Sequence, residues 1–272
     1  MGVLILGTPF LYSKNIISLL KNLIRSDMNR FFKFIVFILF FLLFGCGGSD
    51  KLNIKGDPEA IKLAESMLKE LGGKKAWSRI KSVYIRTIAT ASSQQSYVLE
   101  EWINLDRPKF MNIKTTNNIQ SVDIIDGNDG WRITGRQIQM IPPQRITSYL
   151  EWYDTFFIRL VKFMAEERDN IEVRKKGDRQ FEFYIDGTFK SGFELYDTNL
   201  PSSYYVEDQY GNYNTVFFEE FSEYKGYKFP LTIKGESLLA TYNTDYFDPS
   251  HLEAEKAFSI TFNPNVLLEN LD

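Results

Sequence analysis

The chain has 272 residues, 44% of them hydrophobic and 15% aromatic, with 32 basic against 35 acidic side chains and a formal charge of −3. That balance excludes the basic stripe of a nucleic-acid surface and the polybasic dock of an anionic-lipid binder. A single cysteine excludes any disulfide within the chain, so the core has to hold without covalent staples.

The first feature in chain order is Phe34–Phe44, eleven consecutive hydrophobic residues. As a helix this run reaches about 16 Å, against roughly 30 Å for a bilayer core. It fits instead the apolar centre of a secretory signal, with Arg30 and Lys33 before it and Gly45 after it. Counted from Met28, the signal is eighteen residues long. Met28 is therefore the expected start, with residues 1–27 an extension or a long leader, and residues 1–45 are read together as leader and signal peptide. Without them the chain carries 27 basic and 34 acidic residues, a charge of −7.

Leu43-Phe44-Gly45-Cys46 resembles the lipobox of bacterial lipoproteins. A thiol is the best nucleophile in the chain for attaching a lipid, and a small residue before it lets a signal peptidase reach the backbone. A buried structural cysteine is the competing reading, but Gly47-Gly48-Ser49-Asp50 behind Cys46 has linker composition. Cys46 is thus the expected lipidation site, residues 46–56 a lipid-anchored linker and residues 57–272 one domain. Gly47 lacks the acidic character that retains such proteins at the inner membrane of enteric bacteria, so the resemblance implies the outer membrane, facing the periplasm.

Asp57-Pro58 followed by EAIKLAESMLKELGG predicts a helix, with Asp57 as cap, Pro58 at the first position and Gly72 at the end. Ile61, Ala64, Leu68 and Leu71 form its apolar face. A short turn at 75–79 points Trp77 inward. From Ser82 the period becomes two, and 82–91, 96–105, 108–116 and 119–125 read as strands rich in Val, Ile, Tyr and Thr. Short connections make consecutive strands antiparallel. Asp126 to Gly130 forms a turn before WRIT, and Gly135-Arg136 turns into QIQMI.

After Pro142-Pro143, three-and-four spacing from Ile146 to Met164 predicts one continuous helix. Trp152, Ile158 and Val161 lie off its stripe, so it is apolar around most of its circumference and needs partners on two sides. Strands resume at 171–176, 180–186, 192–197, 202–208, 214–223, 228–239 and 257–262. In QFEFYID, Phe181, Phe183 and Ile185 share one apolar face while Gln180, Glu182 and Asp186 point away, as in a sheet with one wet side.

The phrases LGGKKAWSRIKSVYI, IIDGNDGWRI, ELYDTNLPSSYYVED, FEEFSEYKGYKFPLTI and FSITFNPNV resemble the LolA-like superfamily of lipoprotein carriers and outer-membrane lipoprotein-sorting proteins, over about residues 60–268. The resemblance implies a mainly β fold with helices (α+β): a half-open antiparallel β-barrel with an N-terminal helix and a central helical lid. It implies a concave apolar face that holds lipid or lipoprotein acyl chains, with other envelope proteins as further partners. Arg86, on the first strand, is the nearest counterpart of the carriers' essential arginine. A tethered chain does not shuttle between membranes, which favours an anchored acceptor or a relative with another envelope task.

Residues 46–272 contain 15 Phe, 14 Tyr and 4 Trp. These either fill the barrel or line a groove for acyl chains. Burying a sixteen-carbon chain contributes on the order of 10 kcal/mol before entropic costs. Trp152, Phe156, Phe157, Leu160 and Met164 are the candidate groove or lid residues, with Arg86 beside them. The alternative is an interaction or sensor module with a filled interior.

Enzymatic readings are weaker. Asp126–Gly130 departs from a calcium loop, because Trp131 stands where that loop has glycine, and a hairpin turn is expected there. Glu219, Glu220 and Glu223 read as a solvated face. His251 has no spaced partner for a metal or a triad, and neither a nucleophile elbow nor a phosphate loop occurs. Carboxylates alone could serve a hydrolase. The expectation is a non-enzyme with no cofactor and no metal.

Overall fold

In the computed structural model the described residues are 51–91, 95–207, 211–235 and 240–248. Residues 1–45, expected to be leader and signal peptide, together with Cys46, Gly47–Asp50, His251 and the strand expected at 257–262, lie outside them. No helix among the described residues is long and apolar enough to cross a membrane.

Helix α1 (Pro58–Glu70) begins at the Asp57-Pro58 signal, with proline at its first position. The expected side-chain cap is not made. Asp57 Oδ2 accepts the backbone N–H of Lys175 at 2.8 Å, and the Asp57 N–H donates to the Val173 carbonyl at 3.0 Å. The residue that starts the helix is used to pin it to a strand instead. Ahead of it β1 (Lys55–Gly56), which the sequence did not announce, pairs parallel with the same strand. Ala60, Ala64, Met67 and Leu68 face inward. The helix ends where Gly72, at φ +123°, lets the chain press against the Gly226 carbonyl. In α2 (Lys74–Trp77) the indole is fully buried and donates from Nε1 to the Leu71 carbonyl at 3.0 Å.

Strands β2 (Ser82–Ala91), β3 (Ser96–Asn104), β4 (Lys109–Thr116), β5 (Ile119–Asp126), β6 (Asp129–Thr134) and β7 (Gln137–Met140) form one antiparallel meander. A second contains β8 (Ile171–Gly177), β9 (Gln180–Ile185), β10 (Thr188–Leu195), β11 (Pro201–Glu207), β12 (Tyr213–Tyr224), β13 (Tyr227–Gly235) and β14 (Ala240–Asp248). Asn117-Asn118, Asp186-Gly187 and Lys225-Gly226 are two-residue turns with both φ positive, the twist that matches tight hairpins. Asp126 pairs with Asp129 across the expected hairpin. Glu219, Glu220 and Glu223 are exposed, and Glu219 pairs with Lys234 at 2.6 Å.

The meanders join edge to edge through β14 and β2. Among the described residues this gives one fourteen-stranded sheet, β1-β8-β9-β10-β11-β12-β13-β14-β2-β3-β4-β5-β6-β7, whose end strands do not pair. The fold is α+β with a single large open sheet, the coarse form of the half-open barrel expected. The strand at 240–248 corrects the sequence reading, which placed no strand between 239 and 257. A bulge between Thr244 and Tyr246 breaks the alternation there and hides the period-two signal. Its buried Phe247 stacks on Phe229 of β13 at 4.3 Å between centroids.

Because β7 and β8 lie near opposite ends of this order, the chain between them has to cross a sheet face. It does so as two helices, α3 (Pro143–Thr155) and α4 (Phe157–Glu166). This corrects the single continuous helix. Phe156 is extended, at φ −61° and ψ 122°. Phe156 N–H turns to the Tyr153 carbonyl at 3.3 Å, and the Thr155 hydroxyl, shared between the Glu151 and Trp152 carbonyls at 3.1 and 3.2 Å, serves the Trp152 acceptor that a continuing helix would have used.

Helix α4 is buried nearly all round, with Ile158, Leu160, Val161 and Met164 all at 0% exposure. It contacts α1, α2 and α3, and Phe157 meets Phe218 of the sheet at 4.9 Å. The apolar circumference seen in the sequence therefore has its partners on two sides. One charge shares this burial: Lys162 is 2% exposed and is held by Asp106 at 2.8 Å and by Glu166 one turn on.

Candidate functional site

A cleft of about 830 Å³ opens between the sheet and the junction of α3 with α4. Its floor comes from alternate residues of the first meander: Ile85 and Thr87 on β2, Leu99 and Glu101 on β3. The second meander supplies the apolar wall, including Tyr204, Val216, Phe218, Phe229 and Ile233. Trp152, Phe156 and Phe157 of the helical junction cover it. The break at Phe156 turns these three rings in different directions. Trp152 and Phe156 stay half-buried with ring centroids 4.9 Å apart, while Phe157 is 4% exposed and packs on Phe218.

The candidate residues thus divide. Trp152, Phe156 and Phe157 meet at the cleft. Leu160 and Met164, both fully buried, belong to the packed core under α4 and do not line it. Arg86 sits on the opposite face of β2 from Ile85 and Thr87, is half-buried and pairs in register with Glu100. It is not part of the cleft lining. The interior is therefore filled on one side and open on the other. Cys46 lies outside the described residues.

A polar strip crosses the floor. Glu101 is in register with Ile85 on one side and Asn112 on the other. Thr87 is 3% exposed, and its Oγ1 is buried without a hydrogen-bond partner among the described residues; Asn112 Oδ1 is in the same state but lies outside the cleft lining. Glu101 itself has no hydrogen-bond or ion-pair partner among the described residues, and burial pushes its carboxyl up to about 7. A second hollow of about 360 Å³ lies on the other side of Glu101, under Arg145, Ser148 and Tyr149 of α3. Sequence reasoning passed over Glu101, although the signal was there: it shares parity with Leu99 and with the fully buried Ile103. Acid on the apolar parity of a strand marks either a partner or a site.

Two rings over the cleft titrate abnormally. Tyr204 is pushed up to about 12 by burial alone. Tyr242 is also raised, chiefly by burial, and its hydroxyl lies 3.2 Å from that of Tyr97. Both stay neutral at physiological pH. The charged lining consists of Glu101, Glu151, Asp154, Glu207 and Lys190. Asp154 is matched by Arg159 at 3.0 Å and Lys190 at 4.0 Å. The balance is acidic.

No protein-family model matches the sequence, and no curated protein matches it. Solved structures similar to this chain include a LolA superfamily protein from Nitrosomonas europaea, with a TM-score of 0.42 and 12% identity over 72% of this chain and 96% of that one. Another is a domain from Vibrio parahaemolyticus named as an outer membrane lipoprotein-sorting protein domain, with a TM-score of 0.41 and 14% identity over 75% of this chain and 99% of that one.

Proposed function

We propose that this protein is a lipid-anchored component of the bacterial cell envelope. In this reading Cys46 carries the lipid, the outer membrane holds it, and the domain binds a lipid or lipoprotein acyl chain. The role is non-catalytic, in outer-membrane lipoprotein sorting or a related envelope task, with other envelope proteins as exchange partners.

The observation that carries the reading is the cleft: about 830 Å³, walled mainly by aromatic and aliphatic side chains, which its own residues leave unfilled. That lies within the roughly 300–1,000 Å³ typical of small-molecule sites. Each methylene buried there contributes about 0.8 kcal/mol, which works against the cost of shifting α3. The cover is jointed at Phe156, where no α-helical turn continues.

Native mass spectrometry of the gently purified protein is expected to show a bound lipid, and a fluorescent fatty acid is expected to enter the cleft. Absence of both overturns the reading. The anchor is tested separately: Cys46→Ser is expected to move the protein from the membrane fraction to the soluble one.

A further inference from the structure

The polar strip is out of place in a pocket built only for hydrocarbon. A carboxyl and a buried threonine hydroxyl, neither with a hydrogen-bond partner among the described residues, lie on the adjacent strands β3 and β2 in the cleft floor. Both accept hydrogen bonds, and the carboxyl of Glu101 only accepts when it is ionised. Leaving a buried acceptor unpaired carries a desolvation penalty that a ligand group can remove. The matching chemistry is a donor with several N–H bonds and a positive charge. Its surroundings point the same way. Helix α3 contributes Glu151 and Asp154 to the cleft, β11 contributes Glu207 and Tyr204, β14 contributes Tyr242, and β10 contributes the one lysine, Lys190, which faces Asp154. Arg145 and Tyr149 of α3 face Glu101 from the second hollow, with the arginine placed over the Tyr149 ring.

We infer that Glu101, with Thr87 beside it, is the head-group position of the cleft and takes a primary ammonium carried on hydrocarbon in preference to a carboxylate-headed chain. The inference rests on the acyl-chain reading and gives it a ligand class. An ammonium beside hydrocarbon occurs in the head of an aminophospholipid and at the free amino terminus of an acylated peptide. The structure selects their shared chemistry.

The test displaces a fluorescent hydrocarbon probe from the purified full-length protein with dodecylamine, dodecanol and dodecanoate. At about pH 8.5, above the Glu101 titration, dodecylamine is expected to bind at least about tenfold tighter than dodecanoate, the size of one charge-assisted hydrogen bond. The preference is expected to collapse at about pH 5.5, where Glu101 is protonated, and in Glu101→Gln, with dodecanol unchanged. If Glu101→Gln does not melt cooperatively, the pH series on the natural chain decides. Phosphatidylethanolamine and an S-diacylated peptide with a free amine, each against its N-acetylated form, identify the source by which pair shows the loss. Dodecanol binding with equal affinity for amine and acid overturns the inference alone. Failure of all three dodecyl probes overturns the acyl-chain reading as well.

Discussion

Tyr149 of α3 donates its phenolic proton to Oδ2 of Asp123 on β5 across 2.5 Å, while Arg132 of β6 holds Oδ1 from Nε at 2.6 Å. Asp123 is only 8% exposed, so the first crossover helix is tied to the sheet by a carboxylate that has left water. Burial and then this carboxylate hold the Tyr149 phenol above its usual range. The same ring meets Phe110 edge-on at 5.8 Å. Cover and floor are therefore joined by one polar contact set in aromatic packing.

Removing that contact frees the cover without disturbing the charge pair beneath it. Tyr149→Phe is expected to cost about 1–3 kcal/mol and to raise amide hydrogen exchange in α3 while α4 stays protected. Exchange that rises equally in both helices would show that they move as one body, against the joint at Phe156.

The lysine buried in α4 makes a contrast between two kinds of change. Lys162→Met removes a charge whose partners Asp106 and Glu166 are partly exposed, at 47% and 23%, and so can rehydrate. It is expected to alter stability by less than about 1 kcal/mol. The double variant Asp106→Asn, Glu166→Gln strands the ammonium inside and is expected to cost about 3–5 kcal/mol by urea denaturation. The reverse order would contradict the pairing described for Lys162.

Glu101 links pH to stability with a definite sign. Its carboxyl titrates near 4.5 ordinarily and at about 7 in the folded chain, so between these values the folded state holds the extra proton. Stability then falls as pH rises through that window. Because the group is partly open to the cleft, the penalty is about 2 kcal/mol. Glu101→Gln is expected to gain that amount at about pH 8.5 and nothing at about pH 4. A gain independent of pH would mean that ionisation is not its cause.

Two glycines separate backbone conformation from contact. Gly72 has φ +123°, and a Cβ there would lie 2.3 Å from the Gly226 carbonyl oxygen. Gly127 has φ +64° with nothing within 4 Å. Gly127→Ala is expected to cost about 1 kcal/mol, and Gly72→Ala about 2–3 kcal/mol with a loosened α1 end. Thermal melts of the two variants compare them directly.

Much of the fold was legible because its causes are local. Alternation in SVYIRTIATA and QFEFYID put Val83, Ile85, Phe181 and Phe183 inside, since successive strand side chains take opposite faces. Asn117-Asn118 and Lys225-Gly226 turn where their backbone freedom allows. Pro58 starts a helix, and Trp77 is buried as its place after Gly72-Gly73 suggested. Where local rules failed, a distant partner had intervened. Asp57 leaves its helix to bond Lys175, and β14 exists because β2 and β13 offer their edges to it.

The sequence by itself determined that the chain is a meandering β protein with an apolar crossover and one thiol, because period, turn chemistry and composition are properties of neighbours along the chain. Only the tertiary structure decided that the crossover breaks at Phe156, that Leu160 and Met164 are core while Trp152 and Phe157 face a cleft, and that Glu101 stands unpaired in its floor. A hollow is a mismatch of volume between surfaces far apart in sequence, and no window of residues contains it.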